Sequence, residues 1–171
     1  SDQAIGQGQT HVYRVEVVAE VPADITTGAA DCEVGDGEDG TGFLNGVTLT
    51  VNGQDREDEA CSEAPVIDVD KQHVGEPTPN GNGTYTVRYD LTVTNSGGVD
   101  GVYDLADELT YGEGITVVGT PTVENTVPDG IATNGGWDGD TDTQIVSGEA
   151  IAAGETHVYR VEVTAELDPA T

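Results

Sequence analysis

The sequence predicts an all-β protein, an antiparallel β-sandwich, on three observations. Short segments in which apolar and polar residues alternate recur along the chain, separated by Gly, Pro, Asn and Asp. No segment has the 3.6-residue period of a long amphipathic helix. One segment near the N-terminus returns almost unchanged near the C-terminus, which indicates a repeat protein.

The strands are assigned in chain order from residues that alternate between a wet face and a core face. The predicted strands, each with its expected core residues, are 11–18 (Tyr13, Val15, Val17), 44–52 (Val47, Leu49, Val51), 66–74 (Ile67, Val69), 84–94 (Tyr85, Val87, Tyr89, Leu91, Val93), 102–110 (Tyr103, Leu105, Leu109) and 157–164 (Tyr159, Val161, Val163), with weaker strands at 115–124 and 143–147. Several short strands at this spacing favour an immunoglobulin-like sandwich.

The repeat relates residues 5–21, IGQGQTHVYRVEVVAEV, to residues 151–167, IAAGETHVYRVEVTAEL. HVYRVEV is identical in both, at an offset of about 146 residues, so the sequence predicts a tandem array. We interpret residues 1–64 as the C-terminal strands of a preceding repeat. Residues 65–171 are then one immunoglobulin-like repeat domain without its last strand, which belongs near position 190.

Two arrangements of the N-terminal strands are compatible with this division. They complete the sandwich of residues 65–171 by a permuted closure, or they stand apart as half of a neighbouring domain. An open apolar edge promotes aggregation, so the sequence favours closure.

The charge balance limits the partners of the chain. Its 171 residues include 33 acidic and 5 basic ones, for a formal net charge of −28. Binding to nucleic acid or to an anionic membrane surface requires clustered Lys and Arg, so neither partner is expected. No run of 18 apolar residues exists that would span a membrane.

The two cysteines, Cys32 and Cys61, lie on either side of the strand at 44–52. In an acidic β protein rich in Thr, Gly and Asp they predict one disulfide and an oxidising compartment. A metal or redox pair is disfavoured because the CxxC spacing is absent.

Lys71 is the only lysine of the chain, and its parity places it on the core face beside Ile67 and Val69. Asn45 and Asp107 are polar residues on core faces of two other predicted strands. A desolvated amine is nucleophilic, and a protonated Asp107 could polarise the Asn45 carboxamide. The three residues are therefore a candidate Lys–Asn isopeptide cross-link that releases ammonia. The alternative is an ordinary Lys71–Asp107 ion pair, with Asn45 in a capping or turn position.

Calcium is a candidate cofactor at the segment WDGDTDTQIVSGE. Its ligands would be Asp138, Asp140, Asp142 and Glu149, at positions 1, 3, 5 and 12 of a calcium loop. Thr143 replaces the usual turn glycine and no helices flank the loop, so a solvated acidic turn is the alternative. Asp36, Glu38 and Asp39 form a second, poorer candidate.

The sequence predicts no catalytic site. His11 and His157 occupy the same position of the repeat, which indicates a structural role. No Ser–His–Asp or Cys–His arrangement has a plausible spacing. Trp137, the single tryptophan, is expected to anchor the core or a loop.

Several runs resemble a known family: GTYTVRYDLTVTNSGG, DELTYGEGITVV, GGWDG and IAAGETHVYRVEVTAEL. They are similar to a large family of bacterial surface-protein tandem repeats, immunoglobulin-like domains of unknown function related to the B-type repeats of Gram-positive adhesins. GFLNGVTLTVNG resembles the final strand of that family, and the FLN and EAC motifs resemble actinobacterial versions. The resemblance implies that Asn45, Lys71 and Asp107 occupy the Asn, Lys and Asp positions of the family. The acidity would also suit a halophile.

These observations predict a structural stalk or adhesin module of a long extracellular protein at a cell surface. Its partners would be neighbouring repeats of the same chain or neighbouring copies. A module that binds a cell-surface glycan or a host protein is one alternative. A filament subunit that donates its N-terminal hairpin to a neighbour is another.

Overall fold

The computed structural model describes residues 3–38, 40–128 and 130–168. In this part of the chain the elements are α1 (Thr27–Ala30), β1 (Asn45–Val51), β2 (Gln54–Ala60), β3 (Ile67–His73), β4 (Thr78–Pro79), β5 (Thr84–Asn95), β6 (Gly101–Ala106), β7 (Ile115–Val117), β8 (Thr122–Val127), β9 (Gln144–Ile151) and β10 (Thr156–Leu167). All strand pairings are antiparallel, so the predicted all-β class is confirmed.

Two sheets pack around the main core. The larger has the order β3-β5-β10, with β7 and β8 on the far edge of β10 and β4 beside β5. The smaller contains β6 and β9. Both contribute to one cluster of buried residues, which is consistent with a β-sandwich: Leu91, Val93, Leu105, Trp137, Ile145, Val146, Ile151, Tyr159, Val161 and Val163.

The central β5–β10 pair shows why the alternating pattern forms these strands. Apolar side chains face each other across the pair on the core side, as at Leu91 and Tyr159. On the outer side the same register places Arg160 opposite Asp90, and their side chains form a two-fold hydrogen-bonded ion pair at 2.8 Å. A sheet with one apolar and one wet face therefore satisfies both sets of residues.

The N-terminal region differs from its prediction. Segment 11–18 is not a strand, and Tyr13, Val15 and Val17 are exposed. β1 pairs with β2, and these two strands form a separate two-stranded sheet. In this structure the hairpin does not close the sandwich, and the expected core face of β1 is exposed. A strand needs a hydrogen-bonding edge, and segment 11–18 has none beside it in the described residues.

The β1–β2 hairpin turns at Asn52 and Gly53, whose φ angles are 54° and 75°. A two-residue turn of this kind needs both central residues in the left-handed region, which Asn-Gly tolerates best. The sequence analysis missed β2 because QDREDEA has no apolar alternation. β4 was missed as well, β6 ends earlier than predicted, and the strand expected at 115–124 is divided between β7 and β8.

Candidate functional site

The hairpin is joined to the sandwich by residues 61–66, and a disulfide stands at the start of this joint. Cys32 and Cys61 are bonded, with their Cα atoms 5.8 Å apart, so the predicted disulfide is confirmed. The bond ties the segment after α1 to the end of β2. The disulfide therefore closes a covalent loop that contains both β1 and β2.

The joint is anchored by two buried residues, whereas Ser62 and Glu63 within it are exposed. Ala64 and Val66 form a small second core with Ala30 of α1. The backbone N–H of Ala64 donates to the Ala30 carbonyl at 2.8 Å. Gly42 allows the backbone to approach this cluster closely, because a Cβ at this position would lie 2.5 Å from the Asp31 carbonyl oxygen.

Asn95, at the end of β5, fastens the joint to the sandwich. Its side chain is fully buried, and its Oδ1 accepts the N–H groups of Val66 at 3.2 Å and Gly97 at 3.1 Å. Its Nδ2 donates to the carbonyls of Val99 at 2.8 Å and Ala152 at 3.2 Å.

The sequence analysis missed this role of Asn95. The available signal was an inward-facing Asn at a strand end, followed by Ser-Gly-Gly. Gly97 is required there, since an added Cβ would lie 2.4 Å from the Ala64 carbonyl oxygen.

Two of the three candidate cross-link residues are in contact. Nζ of Lys71 lies 2.5 Å from Oδ1 of Asp107 and 4.9 Å from the centre of the Tyr89 ring. The Lys71 side chain is partly exposed and Asp107 is buried. Asn45 is exposed in the hairpin sheet and is not brought to this pair.

The surroundings of Asp107 are almost completely hydrogen-bonded. Its backbone carbonyl accepts from Nε1 of Trp137 at 3.0 Å, and its N–H donates to Thr143. Oδ2 is the exception: it is buried and has no hydrogen-bond partner among the described residues. A buried carboxylate oxygen without a donor is costly, so this atom marks a place where a donor would stabilise the fold.

A buried polar cluster connects the two sheets. The Tyr103 hydroxyl lies 2.8 Å from Nδ1 of His157 and 2.6 Å from the Tyr159 hydroxyl. Burial raises the pKa of both tyrosines above the ordinary value of 10.0, and the hydrogen bond with Tyr159 raises that of Tyr103 further. The cluster is neutral at the tyrosines and gives His157 a structural partner.

The predicted calcium ligands are arranged differently from a calcium loop. Asp138 Oδ1 accepts three backbone N–H groups at 2.9 Å, those of Asp140, Thr141 and Asp142. The Thr141 hydroxyl and the N–H groups of Asp142 and Asp140 hold the pKa of Asp138 well below its usual range.

The other acidic candidates also have their own positions. Both Asp142 oxygens accept from Nδ2 of Asn134, and Glu149 lies on β9. In the described part of the chain, no group of three or more His, Cys, Asp or Glu residues is arranged to hold a metal. In the second candidate loop Glu38 accepts the Gly35 N–H, and Asp39 lies outside the described residues. Calcium binding stays a prediction.

An apolar groove lies on the open side of the sandwich, between β3 and β6. It encloses about 330 Å³ and is lined mainly by Ile67, Val69, Val93, Tyr103 and Leu105. The chain's own segment 21–25 borders it near Pro65. Lys71 lies two residues after Val69 on β3, and Asp107 lies two residues after Leu105, just past the end of β6.

Among residues 3–38, 40–128 and 130–168, no helix has the length and apolar character needed to cross a membrane. Compared with known proteins, the chain matches no family model, no curated protein and no solved structure.

Proposed function

We propose that this chain is a structural module of a long extracellular repeat protein, a stalk or adhesin of a cell surface, with immunoglobulin-like domains and no catalytic role. The observation that supports the proposal is the joint at residues 61–66, which is anchored by the buried residues Ala64 and Val66. Asn95, Gly97 and the α1 cluster hold it in place, so the hairpin of one unit is rigidly attached to the sandwich of the next. A rigid joint between units is what a spacer protein needs.

The disulfide supports an extracellular setting for this module. Disulfides persist in oxidising compartments, and Cys32–Cys61 closes a loop with a sequence separation of 29. Under force, the residues inside a closed loop cannot extend. The covalent loop therefore protects the hairpin that stands next to the joint.

Single-molecule pulling from the two ends of the chain tests the proposal. We expect a discrete unfolding event of the sandwich, and a final extension shorter by about 100 Å than that of the reduced chain. The Cys32→Ser/Cys61→Ser variant is the control, and it should reach the full extension both with and without a reducing agent. Extension without a discrete event would contradict a mechanical role.

The predicted Lys71–Asn45 cross-link belongs to the same proposal as a second covalent bond, and it requires Asn45 to move from the separate hairpin sheet to the Lys71–Asp107 pair. The Lys71 amine would attack the Asn45 carboxamide carbon, forming an amide and expelling ammonia, with Asp107 passing the protons. The Lys71–Asp107 contact and the unpaired Oδ2 atom favour this chemistry. An intact mass lower by one ammonia, after allowance for the disulfide, would support it, and an unmodified mass would exclude it.

A further inference from the structure

We propose that the groove between β3 and β6 binds the β1–β2 hairpin of a second copy of this chain. The inference rests on the repeat organisation proposed above. It adds an acceptor surface, a donor segment and a way for separate chains to associate end to end. The acceptor, the donor and their order along the repeat each contribute an argument.

The acceptor is an inner face that the described residues cover only in part, with segment 21–25 at the end of the groove near Pro65. Val69 and Val93 are neighbours across the β3–β5 pair, yet Val93 is 2% exposed and Val69 is 61% exposed. Val93 is covered by the smaller sheet, whereas the smaller sheet does not extend over Val69. One or two further strands beside β6 would cover it.

Both strands that border the groove also have free backbone edges. In the described residues, β3 pairs only with β5, and β6 pairs only with β9. An exposed edge beside an apolar surface is the usual site for addition of a strand from another chain.

The donor is a hairpin whose first strand, β1, has an apolar face that no described residue covers. Val47, Leu49 and Val51 share one face of β1, and all three are exposed. A two-stranded hairpin alone is marginally stable in water, so burying this face is favourable. The charged residues of the hairpin are concentrated in β2, and Arg56 and Asp58 lie on the same face, opposite Leu49 and Val47. β1 would therefore lie over the groove, and β2 would form the new edge of the sheet.

The repeat identifies the hairpin as the element that fits the groove. In the N-terminal copy, HVYRVEV is followed by residues 18–60, which end in the hairpin. In the C-terminal copy, HVYRVEV lies within β10 of the sandwich. The element that follows β10 in a repeat array therefore has the character of β1–β2, and a second copy can supply it in trans.

The polar residues of donor and acceptor are complementary as well. Asn45 shares the face of Val47, Leu49 and Val51 and is its one polar residue. The groove is lined mainly by apolar residues, and the Lys71–Asp107 pair follows its lining residues Val69 and Leu105 by two positions. Among the described residues, Oδ2 of Asp107 lacks a donor. The side-chain amide nitrogen of Asn45 could donate the missing hydrogen bond to Oδ2 of Asp107.

The test measures oligomeric state by sedimentation velocity from micromolar to millimolar concentration. We expect the wild-type chain to form a concentration-dependent series of oligomers, because donor and acceptor differ and the contact need not close. Val47→Lys disables the donor face, and Val69→Lys disables the acceptor. Each variant alone should be monomeric, and an equimolar mixture should form a dimer, since each supplies the surface that the other lacks.

Thr48→Lys is the matched control for Val47→Lys. Both lysines would lie opposite an acidic residue of β2, Glu57 and Asp58 respectively, so neither should open the hairpin. Thr48 faces the other side of β1, and its variant should associate like the wild type. A monomeric wild type, a monomeric mixture, or equal losses in Thr48→Lys and Val47→Lys would each overturn the inference.

A lengthened variant, with a second copy of residues 18–64 added after residue 167, distinguishes failure of this inference from failure of the proposed function. If hydrogen exchange slows at β3 and β6 in the longer chain while separate chains stay monomeric, the module proposal stands and association in trans is wrong. If neither occurs, both proposals fail.

Discussion

The two copies of HVYRVEV have the same sequence and opposite environments. In β10, Val161 is completely buried between β5 and β8 in the centre of the larger sheet. Its counterpart in the N-terminal copy, Val15, is 71% exposed and belongs to no strand. His157 is hydrogen-bonded to Tyr103, whereas the His11 ring only approaches the edge of Tyr13.

This difference shows that alternation specifies which face of a segment is apolar, and that the neighbouring strands decide whether this face is buried. β10 has partners on both sides, and their backbone groups pair with its own. Among the described residues, segment 11–18 has no such partners. The four predictions below use one copy, or one region, as the control for the other.

The largest expected difference is between Val161→Asp and Val15→Asp. A carboxylate at position 161 would be buried without a partner, so we expect a loss of about 4 kcal/mol or more in the free energy of unfolding. At position 15 we expect a change of about 0.5 kcal/mol or less. Urea titration of both variants measures the difference, and similar losses would mean that segment 11–18 is buried in solution.

Removal of the disulfide should affect the N-terminal region alone. The Cys32→Ser/Cys61→Ser variant should lose roughly 3–4 kcal/mol of the stability of that region, in the chain-entropy description of a loop of this length. Hydrogen exchange should become faster in β1 and β2 and stay unchanged in β10. Faster exchange in β10 as well would show that the two regions unfold together.

Asn95→Ala tests the joint between the regions. The substitution leaves the buried N–H of Val66 without an acceptor, so we expect a loss of about 2–3 kcal/mol. Gln7→Ala is the control, because Gln7 is exposed and its replacement should cost about 0.5 kcal/mol or less. Thermal unfolding compares the two, and equal values would remove the argument for a fastened joint.

The smallest effect at neutral pH is expected from the tyrosines. Burial raises the folded-state pKa of Tyr159, so the neutral form is favoured by the fold. Its contribution is complete below the ordinary pKa of about 10 and is lost as the pH rises through the folded-state value. The free energy of unfolding, measured by denaturation from pH 7 to 12, should fall less steeply with pH for Tyr159→Phe than for the wild type. Tyr13→Phe should show the same pH dependence as the wild type.

Much of the sandwich could be predicted because its patterns are local. The alternation in 84–94 and 157–164 assigned the core faces of β5 and β10, and the cysteine count gave the disulfide. The environment of Tyr13 could not be predicted, because it depends on a partner strand that parity does not reveal. β2 was hidden by its charges, although Asn52-Gly53 is a strong hairpin signal.

The candidate sites depended even more on tertiary structure. The pairing of Lys71 with Asp107 was one of two alternatives, and parity alone could not separate an ion pair from a cross-link. The spacing of Asp138, Asp140 and Asp142 resembles a calcium loop, but the Asp138 carboxylate accepts hydrogen bonds from backbone N–H groups of the same loop. Asn95 was missed because its five neighbours come from three separate segments of the chain.

The joint at residues 61–66 also has a consequence for the length of a repeat array. Flexibly linked domains behave as a random coil, whose end-to-end distance grows with the square root of the number of units. An array whose joints are held as Asn95 and Gly97 hold this one would instead grow in direct proportion to that number. Each added repeat would then place the last domain of the array one full unit further from the first.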